Sequence, residues 1–465
     1  MRNLSHALEA ATISVGALIA AQSASASSFY LRAGQSAEGL GMQFAGAASG
    51  GVGLGSTGWN PATITMFPGR NSQWNATYIR PQAEYDVRFT NVVPTPLAGP
   101  LFGTPTGTGE IGGNGAFVPA SYNAWQIDER LWVGFAIGAP FGISSKPDNY
   151  NFAGQVYGRS AKIRTVNVAP TIGYKVTDWL SLGATLQGQY VTVNLKQAIA
   201  AFPNAPNLIL EGDDIAWGYR LGATITPWQG GTIGIGYRSA MFHELNGNIV
   251  SAVPIPLPPA PTLIFPDATG HLNPLKVKIN LPDVLGLGFS QQLGPKWQVH
   301  FGAEWENWSR LKRLPLVLER TGLPFRSLNF EYQDSVYISA GVEYAWNENL
   351  TLRAGLSYEW SALSDRIRQL LIADNDRLGV SLGTSYSWNA RVKVDLGYGH
   401  YFIKHAPASI VPPGSPFNPA GNPHFAGIQY VGEAKPTLDI ITIGLTYRWD
   451  TPAVTAVPAM VLRKY

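Results

Sequence analysis

The residues from Leu350 to Trp360 alternate without a break. Leu350, Leu352, Ala354, Leu356, Tyr358 and Trp360 share one face, and Thr351, Arg353, Gly355, Ser357 and Glu359 share the other. A period of two marks a strand whose two faces meet different surroundings. About 9–11 residues is also the length with which a tilted strand crosses a bilayer. Trp297, Val299, Phe301, Ala303 and Trp305 repeat the pattern against Gln298, His300, Gly302, Glu304 and Glu306, and Val336 to Trp346 does so again. In a soluble sandwich the apolar faces would meet another sheet. Here the opposite faces carry charge and the ends carry Trp or Tyr, which reads as a lipid-facing wall with interfacial girdles.

The start of the chain points to the same compartment. Residues 1–26 read as a secretory leader: Arg2, a small apolar run from Ala10 to Ala21, and Ala24-Ser25-Ala26 as a cleavage site. No later run of about 20 apolar residues exists to form a spanning helix. A secreted membrane protein without such helices must close its strands into a barrel, because lipid cannot satisfy an open sheet edge. Composition agrees. Charged residues are only 14% of the chain, with 51 Gly, 14 Trp and 20 Tyr. A soluble domain would carry about 25% charge. The net charge of +3 implies no nucleic-acid partner, and the absence of cysteine excludes disulfides and thiolate metal sites.

Turn signals divide the chain into about fourteen strands, an even number as a bacterial barrel requires. The expected spans are 71–87, 116–128, 131–145, 160–177, 179–196, 213–227, 231–250, 272–292, 296–315, 328–346, 349–365, 374–388, 391–407 and 430–449. Tight links at Thr177-Asp178, Pro227 to Gly230, Gly294-Pro295, Asn347-Glu348 and Asn389-Ala390 alternate with long ones. The short links would face the periplasm and the long ones the outside. The expected fold is an all-β transmembrane antiparallel barrel over 68–449, with no second globular domain. Residues 27–67 precede it. They open on an apolar tip, Phe29-Tyr30-Leu31, and from Phe44 to Gly58 are nearly all Gly, Ala and Ser. That composition is too flexible for a strand or a stable helix. It suits either a compact plug inside a barrel or a linker.

Asn60-Pro61-Ala62, continuing to Phe67 and followed by Tyr78-Ile79-Arg80-Pro81, resembles the hatch motif of the FadL family of outer-membrane long-chain fatty-acid transporters. Gly236-Tyr237-Arg238-Ser239, Leu281-Pro282-Asp283, Trp305-Glu306-Asn307-Trp308-Ser309 and Asp376-Arg377 are similar to later family segments in the same order. The resemblance spans nearly the whole mature chain. It implies a fourteen-stranded barrel holding an N-terminal hatch. It also implies a hydrophobic ligand pocket with basic residues nearby and a kinked third strand beside a lateral opening. Relatives of the family that carry aromatic hydrocarbons resemble the chain equally at the hatch. Thr442 to Trp449 looks like the C-terminal signal read by outer-membrane assembly machinery. The extension 450–465 beyond it departs from the family pattern.

Six basic residues are candidates to meet a fatty-acid carboxylate: Arg159, Lys162 and Arg164 at one strand start, and Arg310, Lys312 and Arg313 after Trp308-Ser309. The alternative is loop or lipid-headgroup charge. Val253 to Phe265 and Leu314 to Leu323 are apolar stretches expected outside the cell, either packed on neighbouring loops or capturing an apolar ligand. Gly138-Ala139-Pro140-Phe141-Gly142 interrupts the third strand. Pro140 has no amide hydrogen, so this is either an ordinary bulge or a lateral gate. The scattered histidines carry no nucleophile motif, and no catalytic, metal or cofactor site is expected. The resulting expectation is a monomer in the bacterial outer membrane, surrounded by membrane lipid and lipopolysaccharide. It would take up hydrophobic molecules passively, long-chain fatty acids first. Aromatic hydrocarbon uptake and a general diffusion porin are the alternatives.

Overall fold

The computed structural model describes residues 32, 35–92, 107–112, 115–147, 154–199, 204–251, 255–257, 262–264, 271–319, 324–425 and 427–450. The leader 1–26, the tip Phe29-Tyr30-Leu31, the extension after Asp450 and much of the Val253 to Phe265 stretch lie outside the described residues.

The wall is a closed antiparallel barrel of 14 strands. In chain order they are β1 (Arg70–Val92), β2 (Ala116–Gln126, preceded by Gly107–Gly112), β3 (Leu131–Gly138, resuming at Gly142–Ser145) and β4 (Ser160–Lys175). Then come β5 (Leu180–Ala198), β6 (Asn207–Trp228), β7 (Gly231–Arg238, then Met241–Ser251) and β8 (His271–Leu281, then Val284–Leu293). Next are β9 (Trp297–Glu306, then Arg313–Leu318), β10 (Pro324–Asn329, then Ser335–Ala345) and β11 (Leu350–Trp360). The ring ends with β12 (Arg377–Ser387), β13 (Val392–Ile403, then Ala406–Ile410) and β14 (Ile428–Arg448). Each strand pairs with the next, and β14 returns to β1 from Asn71↔Arg448 to Val92↔Ile428. That seam removes the sheet edge.

The short turns cluster at one end. Asp128, Asn347 and Asn389 each accept two backbone N–H bonds at 2.7–2.9 Å, from Arg130 and Leu131, Asn349 and Leu350, and Arg391 and Val392. Such local side-chain bonds are why Asx residues close tight turns. Exposed Trp179, Trp228, Trp297, Trp346 and Trp388 mark the same end, an aromatic belt at one membrane boundary. On β11, Leu356 and Trp360 are exposed while Arg353, Ser357 and Glu359 are buried. The apolar face therefore looks outward and the polar face inward, the reverse of a soluble sandwich.

Several strands expected to be continuous are broken. Ser239-Ala240 splits β7, Pro282-Asp283 splits β8, and a short 3-10 turn at Trp308–Arg310 splits β9. The run expected from 374 begins at Arg377. At each split the wall turns a side chain or a proline inward instead of continuing the ladder.

Residues 35–67 occupy the interior. They are not structureless, contrary to the expectation of a stretch without stable helix. Ser36 caps a one-turn helix, Ala37–Gly41, by accepting the Gly39 amide. Asn60 caps the 3-10 turn Pro61–Met66 by accepting the Ala62 amide, with Pro61 in the first turn. The segment touches the wall all the way round, at Gly383 (Gly41), Gly288 and Gly234 (Ala48), Gly236 (Trp59), and Gly222 (Asn60). A Cβ at these wall glycines would collide with the segment's backbone or with Asn60. Absent side chains are thus what allow this close approach. Polar latches complete the fit. Asn60 Nδ2 donates to Ala223 O at 2.8 Å and Ala48 O at 2.7 Å. Trp59 Nε1 donates to Glu304 Oε1 at 2.9 Å. Glu38 pairs with Lys393 at 2.7 Å and Arg353 at 3.3 Å.

Candidate ligand chamber

Above the inner segment the barrel interior changes from polar to apolar. On the long-loop side of β5, Val191 and Val193 face inward with Leu195, and Leu245, Leu275, Val277, Leu316 and Leu318 join them from β7, β8 and β9 in one buried cluster. Three compartments are lined by this cluster. The outermost encloses about 1050 Å³ including its open mouth, between Ile143, Leu208, Leu316, Phe330, Leu371 and Ile410. Two deeper ones of about 430 and 470 Å³ share Ile163 and Phe330 with it. The deepest ends at Phe141, His243 and Trp308. Ligand sites for greasy molecules are mainly apolar in lining, and the walls of these three compartments are dominated by Ile, Leu, Val and Phe.

Its floor is aromatic. Phe141 and Trp308 meet edge to face, ring centroids 6.1 Å apart. Below Trp308 the interior is charged: Trp308 Nε1 donates to Glu306 Oε2 at 2.6 Å, and Arg32 binds Glu306, Glu304 (3.1 Å) and Glu359 (2.8 Å). His243 is held between Asp214 at 3.0 Å and Gln189 at 3.1 Å, so its ring is a fixed polar point in the chamber wall.

Phe141 reaches the floor because β3 is bulged. Gly138 pairs with Asn167 and Gly142 with Arg164. Three residues, Ala139, Pro140 and Phe141, therefore oppose two, Thr165 and Val166. One extra residue defines a β-bulge. Pro140 lacks the amide a ladder needs. Thr165 repairs part of the break: Phe141 N–H donates to Thr165 Oγ1 at 3.0 Å, and Thr165 Oγ1 donates to Phe141 O at 2.5 Å. On its other side β3 leaves β2 early. Their shared register ends at Ser121↔Ile137, while β2 continues to pair with β1 as far as Ile79↔Ala116. Among the described residues no ladder rung joins Ala116–Ala120 to Gly142–Ser145. The expected interruption at Gly138-Ala139-Pro140-Phe141-Gly142 is thus a bulge beside an unpaired stretch of wall.

The six basic residues do not converge on the chamber. Arg159 is buried, but it is engaged with Ala205 O and Asn207 Oδ1, each at 2.7 Å, and Gln155 Oε1 at 2.5 Å. It ties two outer segments together. Lys162 and Arg164 are exposed and share the outward face of β4 with Val168 and Ile172. Arg310 is paired with Asp283 at the rim. Lys312 and Arg313 are exposed, whereas Leu314, Leu316 and Leu318 are buried. The stretch from Leu314 therefore alternates: Leu314, Leu316 and Leu318 line the chamber, while Pro315 and Val317 face outward. Its residues 320–323 lie outside the description. Residue type does not tell which face of a strand a cation takes. Alternation with exposed Tyr219, Leu221 and Ile235 places Arg220 and Arg238 on the inward face, where both are buried.

A family model described as "Outer membrane protein transport protein (OMPP1/FadL/TodX)" matches residues 17–424. The chain belongs to the OMPP1/FadL/TodX family. It is 25% identical over 417 residues to outer membrane protein P1 of Haemophilus influenzae, covering 82% of this chain and 87% of that one. It is 23% identical over 402 residues to the long-chain fatty acid transport protein of Escherichia coli K12, covering 78% and 85%. Among solved structures, a Pseudomonas aeruginosa FadL homologue superposes with a TM-score of 0.75 at 20% identity, covering 91% of this chain and all of that one. The Ralstonia pickettii toluene transporter TbuX gives 0.62 at 15% identity, covering 89% and 98%. These two likenesses speak to fold. As a FadL-family barrel the protein resides in the bacterial outer membrane and transports hydrophobic compounds.

Proposed function

We propose that the protein carries long-chain fatty acids passively into the outer membrane. The observation that supports this most is the run of three apolar compartments, which descends from the long-loop rim to the Phe141–Trp308 floor. A molecule extended along that run buries a long apolar tail, and burial is favourable at about 25 cal/mol per Å². The inner segment 35–67 acts as the plug that denies the same lumen to water-soluble solutes. Release is lateral, through the wall between β2 and the bulged part of β3. An apolar ligand leaving that way stays in apolar surroundings, whereas the straight path ends in water.

Purified protein titrated with oleate and with toluene tests the ligand. Tight oleate binding with weak toluene binding supports the fatty-acid reading. The reverse result replaces it with aromatic hydrocarbon uptake. Binding of neither, together with ion conductance in planar bilayers, would leave a diffusion porin.

A further inference from the structure

The outward face of β4 carries two cations in a row. Lys162 and Arg164 are exposed, while Ala161 and Thr165 are buried and Ile163 lines the chamber. The same face continues through exposed Val168 and Ile172 to Tyr174, beside the short-turn belt. On β3, Ser144 stands opposite Lys162. Lys146, two positions further on, is exposed between buried Ser145 and Pro147, so it shares the outward side. It is a diagonal neighbour of Lys162, a spacing that long side chains bridge. The three cations form one patch across two strands.

Their height decides what they meet. From Arg164 to Tyr174 the strand runs about 34 Å, at about 3.4 Å per residue. A tilt of about 40° reduces that to about 26 Å along the membrane normal, close to the roughly 25 Å height of a barrel's apolar band. With Tyr174 at the short-turn boundary, Arg164 lies at the opposite one, and Lys162 and Lys146 lie just above it. That is the headgroup level of the outer leaflet. The patch is also of one sign. Residues 131–147, 160–175 and 180–198, which span β3 to β5, include no Asp or Glu. Beyond β5, outward acids begin at Glu211 and Asp213 on β6. On β8, by contrast, Lys276 is paired with Glu319 at 3.4 Å and Lys278 with Glu244 at 3.8 Å. Lys146 and Arg164 also have a contact within the chain, but contacts of exposed, solvent-screened charges are weak and yield to a multiply charged anion.

We propose that Lys146, Lys162 and Arg164 bind the phosphates of lipopolysaccharide, with its acyl chains lying on Val168 and Ile172 below. Basic clusters at a membrane surface attract anionic headgroups, and the guanidinium fork of Arg164 matches phosphate oxygens. The wall separates this patch from the chamber, so the proposal does not depend on which molecule the chamber carries.

Purified protein in detergent, incubated with diphosphoryl lipid A, with its dephosphorylated form and with inorganic phosphate, tests this, bound lipid being counted by native mass spectrometry. Wild-type protein is expected to prefer the diphosphoryl form by about tenfold or more. Lys146→Gln/Lys162→Gln/Arg164→Gln is expected to lose that preference and keep its affinity for oleate, because all three side chains lie on the lipid side. A variant that keeps the preference overturns the proposal. So does a wild-type protein that retains both lipids equally, a comparison that stands even where the variant fails to fold. Inorganic phosphate that displaces lipid A at equal concentration would overturn the lipid as the ligand of this patch. Failure of oleate to bind the wild type bears on the uptake reading alone.

Discussion

The Thr165 hydroxyl stands in for a ladder partner at Phe141, accepting from its amide at 3.0 Å and donating to its carbonyl at 2.5 Å. One side chain on β4 thereby holds the bulge of β3 against its neighbour. Thr165→Val keeps the shape and removes both bonds. A buried amide left unpaired costs about 1–3 kcal/mol, so the bulge is expected to loosen while the barrel persists. Hydrogen–deuterium exchange should quicken over residues 139–142 with no change at the β14–β1 seam. Equal exchange in both proteins would show that Thr165 carries no such load.

Pro140→Val with Gly142→Val restores an amide at the interruption and adds β-branched side chains that favour extended backbone. Uptake of labelled oleate by whole cells is expected to fall while surface binding persists. Normal uptake by a double variant with a fully paired third strand would rule out release at this place.

Wall glycines hold the plug in register. A side chain at Gly222 meets Asn60 and one at Gly234 meets Ala48. Gly222→Val with Gly234→Val is expected to displace the plug and raise single-channel conductance, because the wall's own ladder does not depend on it. Deleting residues 27–67 should raise it further. Unchanged conductance in both would mean that the lumen is closed by something else.

Neutralising Arg310, Lys312 and Arg313 together is expected to change oleate affinity by less than about twofold, as exposed, solvent-screened charges contribute little. Lys312 and Arg313 are exposed, and Arg310 is spent on Asp283. A large loss specific to oleate would return these residues to the binding path.

Asp374 lies between β11 and β12, where Ser361 Oγ donates to it at 2.7 Å. Burial pushes its carboxyl up to about 6 against an ordinary 3.8, with Arg377 pulling the other way. The folded segment keeps a proton that the unfolded one releases. Its stabilising share is therefore complete below the ordinary carboxyl range and is lost as pH rises through about 6. Protection of residues 361–376 from exchange should be higher at pH 5 than at pH 8, and Asp374→Asn should remove the difference. A pH-independent wild type would contradict this.

The wall was legible because lipid enforces a strict period of two. Leu350–Trp360 forms one strand with the bounds its alternation gives, and the Asn347 and Asn389 turns fall where their side chains close them. The strand breaks at Ser239-Ala240 and Trp308–Arg310 were not legible. They depend on what each inward side chain meets across the lumen, which no single strand records. Which face a cation takes is legible from its neighbours and not from its type. Arg220 between Tyr219 and Leu221 already carries the inward signal, and Lys162 and Arg164 carry the outward one.

The extra residue in β3 also acts as a frame shift in the wall. Before it, even-numbered residues such as Trp132 and Ala136 face the interior. After it, Ile143 and Ser145 do, paired with inward Ile163 and Ala161. Removing one residue between Gly138 and Gly142 would take out the bulge and restore an even ladder from Gly138–Asn167 onward. Ile143 would still oppose Ile163 and face the chamber, so the lining beyond that point would keep its side. A single extra residue thus writes the weak point of the wall, and a deletion there would close that point while leaving the ligand space lined as before.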